Sequence, residues 1–75
     1  MKTIYQEEYR RLIDMLITAR KQQNITQADV AKQLYKPQSY IAKIENFERK
    51  PDILEFVVLC RALGLTPSQV PITTE

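Results

Sequence analysis

The chain has 75 residues, 44% of them hydrophobic and 27% charged, with a net charge of +2, which is the composition of one small globular domain with a marginal core. Because it contains one cysteine and no histidine, an internal disulfide, a conventional zinc site and a Cys–His nucleophile pair are all excluded. No apolar run approaches the roughly 18 residues needed to cross a bilayer, and the chain does not open like a signal peptide, so we expect a cytoplasmic protein without a membrane partner.

Two helices are predicted in the first half of the chain. Good helix formers and apolar residues at nearly helical spacing predict the first from about Ile4 to Gln22. Asn24 breaks this pattern. Thr26, followed three residues later by Asp29, resembles a capping arrangement that opens a second helix at about 27–34.

A turn and a third helix follow. Tyr35 and Lys36 form the predicted turn, and Pro37 suits the first position of a helix because its missing N–H has no intrahelical partner there. The third helix is predicted to run to about Asn46. It buries Ile41 and Ile44, which turns its polar residues outward.

Two further helices are predicted near the carboxyl end. Asp52 is a plausible N-cap for a fourth helix at about 53–63, which Gly64 ends in the C′ position. A Thr-Pro-Ser-Gln segment opens a short fifth helix that hardly passes Val70, and the tail at 71–75 is expected to fray. Five helices with short loops predict an all-α bundle in a single domain, residues 1–75.

The second and third helices, at about 27–46, have the layout of a helix-turn-helix. In that motif the first helix lies across the DNA backbone and the second enters the major groove. The charge distribution agrees, since residues 20–50 carry a net charge of +4 and the remainder −2. Such an excess is what phosphate binding requires, and the alternative is a solvated surface of mixed charges.

The chain resembles the XRE family, the helix-turn-helix domains of phage repressor and Cro-like regulators, over about Leu16 to Val70. The motif elements are Ala19-Arg20, Thr26-Gln27-x-x-Val30-Ala31, Gln38-Ser39-x-Ile41-x-Lys43-Ile44-Glu45-Asn46, Lys50-Pro51 and Ala62-Leu63-Gly64-Leu65. The resemblance implies a five-helix, lambda-repressor-like fold and an internal ion pair between Arg20 and Glu45, for which direct phosphate contact by the arginine is the alternative. Tyr35 and Phe47 depart from the family, because each replaces a common glycine.

Candidate DNA contacts follow from this layout. Glutamine can pair with adenine, lysine can donate to guanine, serine can serve either role, and a tyrosine ring can lie against a thymine methyl group. The candidates for base contact are Gln38, Ser39, Tyr40 and Lys43, with packing on the domain as the alternative for the tyrosine. The candidates for phosphate contact are Gln27, Lys36, Asn46, Arg49 and Lys50. Gln27 could instead brace a neighbour in the third helix or be an ordinary polar surface residue, and the lysine of the turn could be merely solvated.

The fourth helix is apolar nearly all round, which predicts burial against a second protomer. The predicted homodimer interface consists of Leu54, Val57, Val58, Leu65 and Val70. Two recognition helices about 34 Å apart would then read an inverted-repeat operator. A rival interface is offered by the surplus apolar residues of the first helix, namely Tyr5, Tyr9 and Met15.

The leading interpretation is a sequence-specific transcription regulator that binds double-stranded DNA, of the phage-repressor or restriction-modification-controller type, and that touches RNA polymerase if it activates. The alternative is an antitoxin or protein-interaction module that binds a toxin or another factor. There is no glycine-rich phosphate loop and no acid pair in a plausible pocket, so neither an enzyme nor a cofactor is predicted. Operator binding should weaken steeply with salt, whereas an apolar protein contact should not.

Overall fold

The computed structural model describes the backbone of residues 2–65 and the side chains of residues 6–65. Four α-helices and no strand occur in that part of the chain: α1 Lys2–Gln22, α2 Gln27–Gln33, α3 Gln38–Glu45 and α4 Ile53–Ala62. The predicted all-α fold is confirmed. The predicted fifth helix, the frayed tail and Val70 lie outside the described residues. Within residues 2–65 no helix is long and apolar enough to span a membrane.

Helices α2 and α4 begin with capping boxes. The Thr26 hydroxyl accepts a hydrogen bond from the Asp29 N–H at 3.0 Å, and the Asp29 carboxylate accepts one from the Thr26 N–H at 3.0 Å. Asp52 and Glu55 form the same reciprocal pair at 2.7 and 2.9 Å. Both predicted helix starts are therefore confirmed, because each box satisfies two N–H groups that have no partner within the helix.

Helix α3 begins one residue later than predicted. Pro37 is its N-cap, with φ −71° and ψ 154°, and Gln38 is the first helical residue. The proline ring fixes φ but leaves ψ free, so the residue fits an extended cap as well as the first helical position. The predicted ends of α2, α3 and α4 were each one residue too long, because the C-cap still donates a helical hydrogen bond, as Leu34 does to Val30 at 3.1 Å.

All four described helices end in the same hydrogen-bonded motif. One residue after each C-cap has a positive φ: Asn24 at 58°, Tyr35 at 58°, Phe47 at 63° and Gly64 at 77°. Its N–H donates three residues back, and the next N–H donates five residues back, as Lys36 does to Ala31 at 2.9 Å. These are Schellman motifs, in which glycine avoids a Cβ penalty. Tyr35 and Phe47 carry that penalty, and both turns keep the usual geometry.

The core lies where the four helices meet. Its buried members are Ile13, Leu16, Ala19, Val30, Ala31, Ile41, Ile44, Phe56, Leu59, Cys60 and Leu63. Burial raises the pKa of the Cys60 thiol, as expected for a cysteine that serves as a small apolar side chain. Tyr9 and Met15 are half-buried against this core, which accounts for the wide apolar stripe of α1. The side chain of Tyr5 lies outside the described part.

Candidate nucleic-acid interface

A bidentate ion pair fixes α3 against α1. Arg20 Nε donates to Glu45 Oε2 at 2.6 Å, and Arg20 Nη2 donates to Glu45 Oε1 at 2.9 Å. Both side chains are 11% exposed. Arg20 Nη1 donates to the carbonyl oxygen of Ile25 at 2.8 Å. Because all three guanidinium nitrogens bind within the domain, the geometry favours the structural role over direct phosphate contact.

A chain of hydrogen bonds continues from this pair to the first residue of α3. Gln27 Nε2 donates to Glu45 Oε1 at 2.9 Å, and Gln27 Oε1 accepts a longer bond from Gln38 Nε2 at 3.4 Å. A carboxylate can only accept, so Glu45 fixes which way the Gln27 amide points. In this structure Gln27 braces α3, which is the alternative to its predicted phosphate contact.

The outward edge of α3 carries three of the predicted base-contacting residues. Gln38, Ser39 and Lys43 are all exposed, and Ser39 and Lys43 lie one helical turn apart. Ala42 is half-buried and is close to the same edge, one turn after Gln38. A small apolar side chain there can contact a thymine methyl group. Sequence reasoning missed Ala42, although the helical repeat alone would have placed it.

Tyr40 lies on the opposite flank of α3 from Gln38. It is half-buried and lines a groove between α3 and α4 together with Leu54 and Val58. Burial, followed by the nearby Glu55 carboxylate, raises the pKa of the Tyr40 hydroxyl. Tyr40 therefore faces α4, whereas the three residues of the outward edge face solvent.

Two cations approach the ring of Tyr40. Lys36 Nζ lies 5.1 Å from the ring centroid, and Arg49 Cζ lies 5.0 Å from it. Arg49 Nη2 also pairs with Glu55 Oε2 at 3.0 Å. Lys36 precedes α3 and Arg49 follows it, so the two predicted phosphate contacts flank α3 and share one aromatic ring.

A second aromatic cluster joins α1 to the loop after α3. The rings of Tyr9 and Phe47 meet edge to face with centroids 5.9 Å apart. Lys50 Nζ lies 5.5 Å from the Tyr9 ring, and Arg10 Cζ lies 4.4 Å from the Phe47 ring. The Tyr9 hydroxyl donates to the Arg49 carbonyl oxygen at 3.3 Å. Arg10 thus joins the basic residues beside α3, and sequence reasoning missed it because 37 residues separate it from Phe47 along the chain.

The remaining predicted site residues lie at the end of α3, on α4 and just after α4. Asn46 is exposed at the C-cap of α3, where its N–H donates to the Ala42 carbonyl oxygen at 2.9 Å. On α4, Leu54 is 71% and Val58 43% exposed, whereas Val57 is half-buried, as is Leu65 beyond the helix. Among the described residues no group of histidine, cysteine or acidic side chains could hold a metal ion.

Comparisons with known proteins agree with this geometry. A family model described as helix-turn-helix matches residues 16–70 of the chain. An XRE-family like protein from Pseudomonas syringae pv. tomato str. DC3000 has a solved structure that is similar with a TM-score of 0.88. The two sequences are 42% identical, and the match covers 92% of this chain and 84% of that one. Comparison with curated proteins gives no match.

Proposed function

Since the chain belongs to the XRE family of helix-turn-helix DNA-binding regulators, we propose that it recognises a specific operator sequence and controls transcription by occupying it. One observation carries this proposal. The outward edge of α3 presents Gln38, Ser39 and Lys43 to solvent, while the underside of the same helix is held by the Arg20–Glu45 pair. A recognition helix needs this combination of a free polar edge and a rigid support.

Each residue of the edge has a defined role in base recognition. The Gln38 amide can form two hydrogen bonds with adenine, Lys43 can donate to the acceptors of guanine, and Ser39 can donate or accept. Each well-formed pair contributes about 1–3 kcal/mol of discrimination against a wrong base. Gln38 is the best oriented of the three, because Gln27 contacts one end of its amide.

Phosphate contacts are assigned to residues on both sides of α3. Lys36 lies before the helix, and Arg49 and Lys50 follow it, all three exposed. Asn46 at the helix end and the second amide hydrogen of Gln27 are further donors. These contacts would position the protein on the duplex without reading its sequence.

A homodimer completes the proposal. Leu54 and Val58 form an exposed apolar strip on α4, beside the groove that Tyr40 lines, and burying it against a second copy would remove apolar surface from water. Two-fold pairing would make the operator an inverted repeat. Leu54→Glu should therefore shift the sedimentation equilibrium towards monomer. Ile53→Glu is the matched control, because Ile53 is 63% exposed on the same helix but about 100° away around its axis.

Selection of bound sequences from random duplex DNA tests the operator directly. An enriched inverted repeat is expected for the parent chain, and Gln38→Ala or Lys43→Ala should relax preference at defined positions. Arg11→Ala is the charge control, since that side chain is 71% exposed on α1 and makes a long pair with Glu8 at 3.8 Å. Selection that yields no motif would overturn the operator proposal.

A protein-binding role for the same fold is the second candidate. The exposed α4 strip and Tyr35, which is 94% exposed, favour it, because both offer apolar area to a partner such as a toxin. Under this proposal the binding constant would change little between 50 and 200 mM salt, whereas an operator complex should weaken steeply over about that range.

A further inference from the structure

We propose that Tyr40 is a positioning residue whose ring holds Lys36 and Arg49 ready for two backbone phosphates, one on each side of the recognition helix. The inference rests on the proposed DNA-binding function and deepens it. It assigns to Tyr40 a role in the strength and salt dependence of binding, in place of the base contact predicted from its position on α3.

Two cations lie against the Tyr40 ring. Lys36 Nζ and Arg49 Cζ lie 5.1 and 5.0 Å from the Tyr40 ring centroid, within the roughly 6 Å over which a ring attracts a cation. The two residues are 13 positions apart and come from different connections, and the ring of Tyr40 lies against both. Lysine and arginine lose much rotamer freedom when they bind a phosphate, and prior ordering reduces that loss.

Tyr40 is itself held from two sides. It is half-buried in the groove against α4, with its hydroxyl close to Glu55. Glu55 is fixed in turn, because its Oε1 accepts from the Asp52 N–H at 2.9 Å and its Oε2 from Arg49 Nη2 at 3.0 Å. The capping box of α4 therefore anchors the Arg49 side of the cluster, and the half-buried ring supports the two cations.

The same contacts argue against base reading by Tyr40. Its side chain lines the groove against α4, its ring is contacted by two cations, and it lies on the flank of α3 opposite Gln38. A residue that acts through phosphate contacts changes affinity for all sequences alike and leaves the choice of base unaffected.

The test is the salt dependence of DNA binding by the full chain. Each phosphate contact contributes about 0.9 to the slope of log K against log salt concentration. Tyr40→Phe keeps the ring and should keep the parent slope. Tyr40→Leu removes the ring and keeps both cations, which are then no longer held against the two phosphates, so its slope should be smaller by up to about 1.8. The ratio of affinities for the selected operator and a scrambled duplex should stay unchanged in both variants.

A double-variant cycle adds a second readout. In a Lys36→Gln, Arg49→Gln background, Tyr40→Leu should cause no further loss of slope, because the cations it acts through are gone. An unchanged slope in Tyr40→Leu with the parent cations would overturn the inference, and so would a changed operator preference, which would make Tyr40 a base reader.

Two safeguards keep the outcome decisive. If circular dichroism shows that Tyr40→Leu does not fold, the proton chemical shifts of the parent chain provide the test instead. Upfield ring-current shifts of the Lys36 and Arg49 methylene protons support the inference, and the absence of such shifts overturns it. A parent chain that binds no duplex DNA at low salt would overturn the proposed function together with this inference. If the parent binds DNA but its salt slope is the same as that of Tyr40→Leu, only this inference is overturned.

Discussion

Tyr35 and Phe47 share a left-handed backbone conformation, with φ of 58° and 63°, at the carboxyl ends of consecutive helices, yet their side chains have opposite surroundings. Phe47 is half-buried between the Tyr9 ring and the Arg10 guanidinium. Tyr35 is 94% exposed. Packing therefore compensates for the backbone strain at Phe47 but not at Tyr35. Uncompensated strain at Tyr35, just before α3, suggests the hypothesis that this residue contacts a partner or DNA.

Replacing Tyr35 by glycine should stabilise the protein. A residue with a Cβ in this conformation costs roughly 1–2 kcal/mol, and glycine removes that cost while making the unfolded chain more flexible. We expect the free energy of unfolding to rise by about 0.5–1 kcal/mol, measured by urea denaturation.

Two variants control for this effect. Tyr35→Ala keeps a Cβ and removes only an exposed ring, so its stability should stay close to that of the parent. Phe47→Gly gains the same backbone relief but loses its packing on Tyr9, so it should be less stable than the parent. A Tyr35→Gly chain no more stable than Tyr35→Ala would contradict the strain argument.

Breaking the Arg20–Glu45 pair should destabilise the domain strongly. Glu45→Gln leaves the Arg20 guanidinium 11% exposed without its charged partner, which typically costs about 3–5 kcal/mol for a buried pair. The double variant Arg20→Leu, Glu45→Leu strands no charge, so it should lose less stability than Glu45→Gln does. Thermal or urea unfolding of the parent and both variants measures the difference. A double variant that is less stable than Glu45→Gln would contradict the argument that the loss comes from a stranded charge.

The sequence was sufficient for those parts of the fold that depend on local interactions. The boxes at Thr26 and Asp52, the positions of the described helices and the outward edge of α3 follow from spacing and capping chemistry. The contacts of Tyr40 and the arrival of Arg10 beside Phe47 could not be predicted, because they depend on how α1 and α4 pack against the loops around α3. For the same reason, the sequence left the bracing of α3 by Gln27 as only one of several possibilities.

Neutralising Glu55 should strengthen DNA binding. Its carboxylate pairs with Arg49 at 3.0 Å, so it competes with a phosphate for that guanidinium. Glu55→Gln removes the charge, while the amide oxygen can still accept from the Asp52 N–H and preserve the cap, and the Tyr40 ring still lies against Arg49. We expect Kd to fall by a factor of about 2–5, the scale of an exposed ion pair. Glu8→Gln makes the same charge change on α1, and an equal gain there would mean that only net charge matters.

Stability should fall in acid because of the two capping boxes. Hydrogen bonds from the Thr26 and Asp52 N–H groups lower the pKa of Asp29 and Glu55, with Arg49 adding to the effect at Glu55. A lowered pKa means that the unfolded chain binds protons first as the pH falls. These carboxylates therefore contribute their full stabilisation above their unfolded-state pKa values, at about pH 4–4.5. The stabilisation is lost as the pH falls through their lower folded-state pKa values.

Isosteric amides isolate this contribution. Asp29→Asn with Glu55→Gln retains an acceptor oxygen at each box, so the double variant should fold at pH 7. Its free energy of unfolding should then change less between pH 5 and 2.5 than that of the parent, because two groups whose proton affinity differs between the folded and unfolded states are gone. Urea midpoints at several pH values measure both curves. Parallel curves for the two chains would place the acid sensitivity in other carboxylates and would contradict the assignment to the capping boxes.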